Sequence, residues 1–278
     1  MNAPLRHPPS AEPFFLNVEQ GERFCIFHPP DPRVPARAAI LYVHPFSEEL
    51  NKTRRMVALQ ARAFAASGYA VLVMDLYGCG DSAGDFADAR WEIWRADLAA
   101  GHAWLTRHAA VPIYAWGLRL GALLALEHAC AFACRRVILW HPQCSGKASA
   151  HQFLRMELAA QMLGSAQEEG AGAPRARLER RGSIEVGGYT ASLELVRAIE
   201  ERNLEHMTPA HCTIDWFDAQ SNARASASAA RLAARWAKHG SELRLHGIDS
   251  LAFWNSTEIG ECTELLRATG DALYRTDP

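Results

Sequence analysis

An α/β fold, with a mostly parallel twisted sheet flanked by helices, is predicted by three features of this chain. Short and almost wholly apolar strands alternate with longer helical stretches between residues 39 and 140, an antiparallel pair precedes them, and the alternation resumes near residue 213 after an irregular stretch. Strands covered on both faces lose the apolar–polar alternation of a half-exposed sheet and read as continuous apolar runs. Strand–helix–strand repetition in turn implies right-handed crossovers between parallel neighbours.

Taken in order, residues 14–18 and 23–27 bracket Glu19-Gln20-Gly21-Glu22, where Gly21 supplies the positive φ that a tight hairpin needs. Buried strands are predicted over 39–43, 70–74, 113–116 and 137–140, with helices over about 51–67, 89–108 and 120–133. From residue 146 the regularity breaks. A helix over 148–163 runs into a loop rich in Gly, Ala, Arg and Glu that ends near Arg181-Gly182, then come a short strand over 183–186 and a helix over 192–203. A loop-rich insertion of this length commonly covers a site, so the expected organisation is a core of residues 1–145 and 209–278 with a lid or cap at 146–208. The core resumes with strands over 213–217 and 242–246 and helices over 223–239 and about 256–274.

The 278 residues suit one large domain with an insertion, and 49% hydrophobic against 22% charged residues is the balance of a globular protein with a sizeable core. A net charge of −2 argues against a nucleic-acid binder or a partner of acidic membranes. No run approaches the roughly 18 consecutive apolar residues of a membrane span. The proline-rich segment 1–13 lacks the apolar stretch of a signal peptide. Seven cysteines, an odd number without paired metal-ligand spacing, point to the reducing cytoplasm, and Cys130 and Cys134 read as small core residues of an apolar helix. No metal or other cofactor is expected, and the oligomeric state is left open.

Gly117-Leu118-Arg119-Leu120-Gly121 falls where the strand over 113–116 turns into a helix, with the glycine spacing of a G-x-S-x-G nucleophile elbow. Its middle residue is an arginine, which offers no nucleophile but carries a permanent charge and a planar fork of donors suited to carboxylate or phosphate. Asp75-Leu76-Tyr77-Gly78-Cys79-Gly80-Asp81-Ser82-Ala83-Gly84 resembles the D-x-x-G-x-G-x-S loop of the α/β-hydrolase superfamily, and His44-Pro45-Phe46 stands at the place of its oxyanion loop. That resemblance covers nearly the whole chain and implies the α/β-hydrolase fold with a lid insertion.

A narrower resemblance rests on the stretch from His44-Pro45-Phe46-Ser47-Glu48-Glu49-Leu50 to Asn51-Lys52-Thr53-Arg54-Arg55, on Gly78 through Phe86, on the elbow, and on Phe253-Trp254 before Thr257-Glu258-Ile259. Together these are similar to hydrolase 2 of the exosortase A system. The similarity implies a hydrolase named by fold, encoded near exosortase, PEP-CTERM sorting and exopolysaccharide biosynthesis genes, and it implies no substrate.

In this fold the triad runs in chain order Ser, Asp or Glu, His. The corresponding positions are Arg119, Asp218 after the strand over 213–217, and Ser250 in Gly247-Ile248-Asp249-Ser250-Leu251. Asp218 equally suits a cap of the following loop or helix, and His246 reads as a strand-end histidine placed too early to be the base. Losing the serine alone costs a triad enzyme on the order of a million-fold in turnover, so serine-triad hydrolysis is not expected. The oxyanion donors, the N–H of Leu120 and one near Phe46, would survive because they are backbone. A helix N-terminus favours anions, so Arg119, Leu120, Phe46, His44, Glu49 and Lys52 form a coherent candidate site for a small or carbohydrate-linked anion. Arg119 could instead pair with Glu48 or Glu49, since a desolvated arginine needs a partner.

Other candidates carry structural readings beside functional ones. Asn51-Lys52-Thr53-Arg54-Arg55 reaches an anionic ligand or forms a solvated helix face, and Arg175, Arg177, Arg180 and Arg181 read as an exposed lid segment. Ser82 reads as a turn residue. Cys144, with His141 nearby, would need a lowered pKa to react. Trp91, Trp94 and Asp97 share a packing spacing, and Phe253-Trp254 either closes the pocket or joins the core. Three functions follow: a hydrolase with a degenerate triad, a non-catalytic anion-binding or accessory protein that uses the inherited pocket, or a folding scaffold or partner subunit whose pocket is vestigial.

Overall fold

The computed structural model describes residues 10–163, 173–219, 223–249, 252–256 and 258–274. The chain opens with β1 (Glu12–Val18) and β2 (Gly21–His28), an antiparallel hairpin with Gly21 at φ 95°. There follow β3 (Ala38–Val43), α1 (Glu49–Ala66), β4 (Tyr69–Met74), α2 (Trp91–His108), β5 (Ile113–Leu118), α3 (Gly121–Ala131) and β6 (Arg136–Trp140). An insertion comes next: α4 (Gly146–Leu163), α5 (Pro174–Arg181), β7 (Ser183–Val186), β8 (Tyr189–Ser192) and α6 (Leu193–Glu200). The chain then forms β9 (Thr213–Ala219), α7 (Ala223–Ala237), β10 (Glu242–Ile248) and α8 (Thr263–Tyr274).

Eight strands make one sheet in the order β1-β2-β4-β3-β5-β6-β9-β10, antiparallel at the β1–β2 and β2–β4 pairings and parallel from β4 onward. This is the predicted α/β-hydrolase architecture. Successive residues of a strand point to opposite faces, and β3 shows the consequence. Leu41 and Val43 join the cluster built with α2, α3 and α7, whereas Ile40 and Tyr42 join the cluster built with α1 and α8. Both faces are apolar because both are covered. On α1 the buried Met56, Val57, Ala61 and Phe64 recur at helical spacing and form the stripe that meets the sheet.

Three elements differ from the sequence-based expectation, the first being β8, an additional strand paired antiparallel with β7. The stretch read as loop up to Arg181 contains α5, which starts at Pro174 and stops at Gly182 in the left-handed conformation, φ 76°. Two arginines of its basic cluster are paired, Arg175 with Glu179 and Glu200 and Arg177 with Glu157, while Arg180 and Arg181 are exposed as expected. The last helix begins at Thr263, later than the expected 256, with Gly260 in the irregular stretch before it. The rest of the predicted loop, residues 164–172, lies outside the described residues. The insertion reaches the carboxyl ends of the strands through two aromatic contacts. Phe153 of α4 meets Phe46 after β3, with ring centroids 5.1 Å apart, and Tyr189 of β8 meets Phe86 at 5.2 Å.

Candidate functional site

Arg119 is the hinge of a strand-to-helix turn, and it stands at φ 55°. A side chain in that left-handed region is strained by roughly 1–2 kcal/mol, so the surroundings must enforce it. They do so through backbone bonds: the Arg119 N–H donates to the Trp140 carbonyl at 3.0 Å, and the Arg119 carbonyl accepts from Gln143 and Ala122. The flanking glycines are required by close approach. A Cβ on Gly121 would stand 2.3 Å from the His44 carbonyl oxygen, and one on Gly117 2.6 Å from the Ala122 Cα. The turn is therefore locked to the loop after β3, which brings the predicted oxyanion loop to the start of α3.

The Arg119 side chain lies between an acid and an aromatic ring. Its Nε donates to Oε1 of Glu49 at 3.4 Å, and its guanidinium carbon stands 4.8 Å from the centroid of Trp254. Of the two sequence alternatives, pairing with an internal acid is what the geometry contains, with Glu49 and not Glu48 as partner; Glu48 pairs with Lys52 at 3.1 Å. The Arg119–Glu49 contact is long for a charge-assisted bond, which ordinarily spans about 2.7–2.9 Å. Among the described residues, Nη1 and Nη2 of Arg119 make no hydrogen bond. Burial pushes the Glu49 carboxyl above its ordinary pKa, and the attraction of Arg119 only partly offsets this.

Beyond Trp254 lies a pair that the sequence reading did not assemble. His141, the residue after β6, is buried at φ 43°, and its Nδ1 stands 3.3 Å from Oδ1 of Asp218. The His141 ring packs 4.4 Å from Trp254, so one indole touches both Arg119 and His141. Burial acts against the Asp218 charge, but hydrogen bonds from His141 and from the Ala219 amide outweigh it and hold the carboxyl below its usual pKa. The missed signal was topological. Trp140 of β6 and Phe217 of β9 are register partners, so His141 and Asp218 are the next residues along neighbouring parallel strands.

An open cleft lies at this mouth, lined among others by Phe46, Glu49, Lys52, Gln143, Phe153 and Trp254. Phe46 and Leu120 also line a small neighbouring cavity with Trp91 and Trp94, so the two predicted oxyanion residues are brought together. Leu120 stands at the N-cap position of α3 without a side-chain capping bond. His44 is present but engaged. Its Nδ1 lies 2.7 Å from the Pro45 carbonyl and its Nε2 accepts the Leu76 N–H at 3.2 Å, which fixes a neutral ring protonated on Nδ1. Burial lowers its pKa and favours the same state. His44 holds the loop and has no ring nitrogen left for a ligand.

Ser250 lies outside the described residues. His246 stays within β10, where it bonds Asp215 at 2.8 Å and stacks on Phe217. Ser82 accepts the Phe24 N–H and donates to the Asp75 carbonyl, which is a turn role. Burial, with Asp218 and Glu205 nearby, pushes the Cys144 thiol up to about 11, so it is not a thiolate near neutral pH. Trp91 and Trp94 are core residues, and Asp97 forms a buried ion pair with Arg23. Phe253 is buried in the core, whereas Trp254 lines the cleft. Among the described residues, no helix is long and apolar enough to cross a membrane.

A family model described as serine aminopeptidase, S33, matches residues 34–242. Among solved structures, Est1E from Butyrivibrio proteoclasticus with bound ferulic acid is similar at a TM-score of 0.65 and 14% identity, over 94% of this chain and 96% of its own. An α/β serine hydrolase without lid from Xanthomonas campestris is similar at 0.60 and 16%, over 98% and 97%. The mouse α/β-hydrolase domain-containing protein 10 is similar at 0.58 and 15%, over 95% and 99%. At such identities the likeness speaks for the fold alone. No curated protein matches the chain.

Proposed function

The chain belongs to the family described as serine aminopeptidase, S33, within the α/β-hydrolase fold, and from that premise we propose that its pocket captures an anionic small molecule or carbohydrate-linked anion in place of serine-triad hydrolysis. One observation carries the reading: the Arg119 side chain is only 14% exposed, yet it is held by one long ion pair and the face of Trp254 while both Nη groups lack a hydrogen bond among the described residues. A desolvated charge so weakly compensated is costly. An arriving carboxylate, phosphate or sulfate would accept two parallel bonds from the fork. Leu120 at the start of α3 and Lys52 in the same cleft add to the attraction. Ser47, Arg119 and His141, around this mouth, all stand at positive φ, and backbone strain of that kind concentrates at functional sites.

A second reading is favoured by the His141–Asp218 pair. A histidine oriented by a carboxylate is the arrangement that activates water or a hydroxyl as general base, so hydrolysis without a serine nucleophile is the alternative use of the same cleft. Under either reading the resemblance to hydrolase 2 of the exosortase A system supplies the setting, exopolysaccharide or protein-sorting metabolism. Insertion 146–208 acts as its lid, and seven free thiols support a cytoplasmic location.

The test is calorimetric titration with glucuronate and glucose 1-phosphate, alongside labelling with a fluorophosphonate. The native protein is expected to bind at least one of the two probes, to lose roughly tenfold or more in affinity on Arg119→Ala, and to remain unlabelled. Equal affinity in the variant overturns the anion site, and covalent serine labelling overturns the loss of triad chemistry.

A further inference from the structure

We propose that His102, His128 and Cys134, on the helical face remote from the cleft, form a zinc site that ties α2 to the end of α3. His102 projects from α2, His128 from the last turn of α3, and Cys134 follows two residues after the helix cap at Phe132. One ligand atom from each lies within 4.8 Å of the other two. His102 Nδ1 and His128 Nε2 are 3.1 Å apart. Two ring nitrogens bound to one tetrahedral zinc at about 2.0–2.1 Å lie about 3.3–3.4 Å apart, so the histidines are close to their metal-bound separation. A histidine pair with a thiolate is a ligand set that suits zinc, with water as the fourth ligand.

The surroundings fit that use. Phe132 stacks on both rings, 4.5 Å from His102 and 4.4 Å from His128, and fixes their orientation. The turn that delivers Cys134 is itself fixed, because the Cys134 N–H donates to the Ala129 carbonyl and Ala133 stands at φ 49°. A surface pocket lined by Glu127, His128, Ala131 and Phe132 gives an ion a route to the cluster. Zinc binding displaces the Cys134 thiol proton into solvent as the sulfur becomes a thiolate. Sequence spacing could not reveal the site, because the two histidines are 26 positions apart and come from different helices.

The test uses the full, untagged chain, stripped with a chelator, reduced with a phosphine, and titrated with zinc chloride by calorimetry and with cobalt(II) by absorption. One zinc per chain is expected, with a thiolate-to-cobalt charge-transfer band. His102→Ala, at a part-buried position, and Cys134→Ser should each lower zinc affinity at least about tenfold while unfolding as cooperatively as the native protein. His108→Ala, on the same helix but outside the cluster, should bind as the native protein does. Native affinity in His102→Ala, no zinc binding at micromolar concentrations, or a cobalt complex without the thiolate band would each overturn the site and leave an ordinary N–H···N contact between two neutral histidines.

Discussion

Across the mouth of the cleft, Nε of Arg119 meets Oε1 of Glu49 at 3.4 Å, and the two side chains remain 14% and 22% exposed. The contact is too long to lock either partner, and it leaves most of the guanidinium fork uncommitted. Under the proposed anion-binding function, Glu49 would compete with an incoming anion for Arg119 and repel it as a like charge. How strongly it competes depends on its proton.

Burial raises the Glu49 pKa above the ordinary glutamate value of about 4.3. As pH falls through that elevated pKa, Glu49 becomes neutral and releases Arg119, so affinity for glucuronate should rise by roughly tenfold, about 1.4 kcal/mol. Glu49→Gln should show the tighter binding at every pH, with a flat profile. Because the Glu49 carboxyl pKa is raised by folding, the stability it contributes is present at low pH and is lost as pH rises through the folded value. A native binding profile as flat as that of the variant would remove Glu49 from the site.

Asp218 has the opposite sign. Its pKa is depressed because the bonds from His141 and the Ala219 amide outweigh burial, so the stability it contributes is present above the ordinary aspartate value of about 3.9 and is lost as pH falls through the lower folded value. Asp218→Asn should cost about 1–2 kcal/mol in urea unfolding at pH 7, and the gap to the native protein should narrow as pH falls through the lowered folded value. A gap of the same size on both sides of that value would mean that shape, and not the charge, is what His141 requires.

Much of this molecule is legible in the chain because apolar runs and glycine spacing report on backbone and burial. Ile113 to Leu118, Gly117 and Gly121 announce the elbow, since only glycine survives a 2.3 Å approach to the His44 carbonyl oxygen. The pairings of Arg119 with Glu49 and of His141 with Asp218 are separated by 70 and 77 positions, and strand order must be known before such partners meet. His44 shows the limit most clearly. Its position marks the oxyanion loop, but only coordinates reveal that both ring nitrogens are occupied by backbone. Helix α5 escaped because Arg- and Glu-rich segments carry no apolar stripe, and its ends are marked only by Pro174 and Gly182.

Arg23 and Asp97 form a fully buried pair, 1% and 2% exposed, with Nε donating to Oδ1 at 2.8 Å while Oδ2 accepts the Tyr77 N–H. Removing one partner strands a buried charge, so Arg23→Met should cost about 3–5 kcal/mol in chemical unfolding at pH 7. Burial already pushes the Asp97 pKa up, and protonation at lower pH should relieve part of that loss. Arg23→Met with Asp97→Asn keeps an acceptor for Tyr77 without the charge and should recover more than half of it. A double variant no more stable than Arg23→Met alone would place the cost in lost packing around the arginine stem.

Glycine is the replacement for Arg119 that separates backbone strain from side-chain function. Position 119 stands at φ 55°, which glycine adopts without penalty and alanine does not. Arg119→Gly should therefore unfold at a higher denaturant concentration than Arg119→Ala, with a difference of about 1 kcal/mol, while both lose glucuronate binding equally. Gly121→Ala, placing a methyl against the His44 carbonyl at 2.3 Å, should cost more than either, because the neighbouring atom is backbone and cannot turn aside. Equal stability of the glycine and alanine variants at 119 would show that the turn relaxes once the arginine is gone. In that event the left-handed conformation would be imposed by the Glu49 and Trp254 contacts to Arg119, and not by the glycines that flank it.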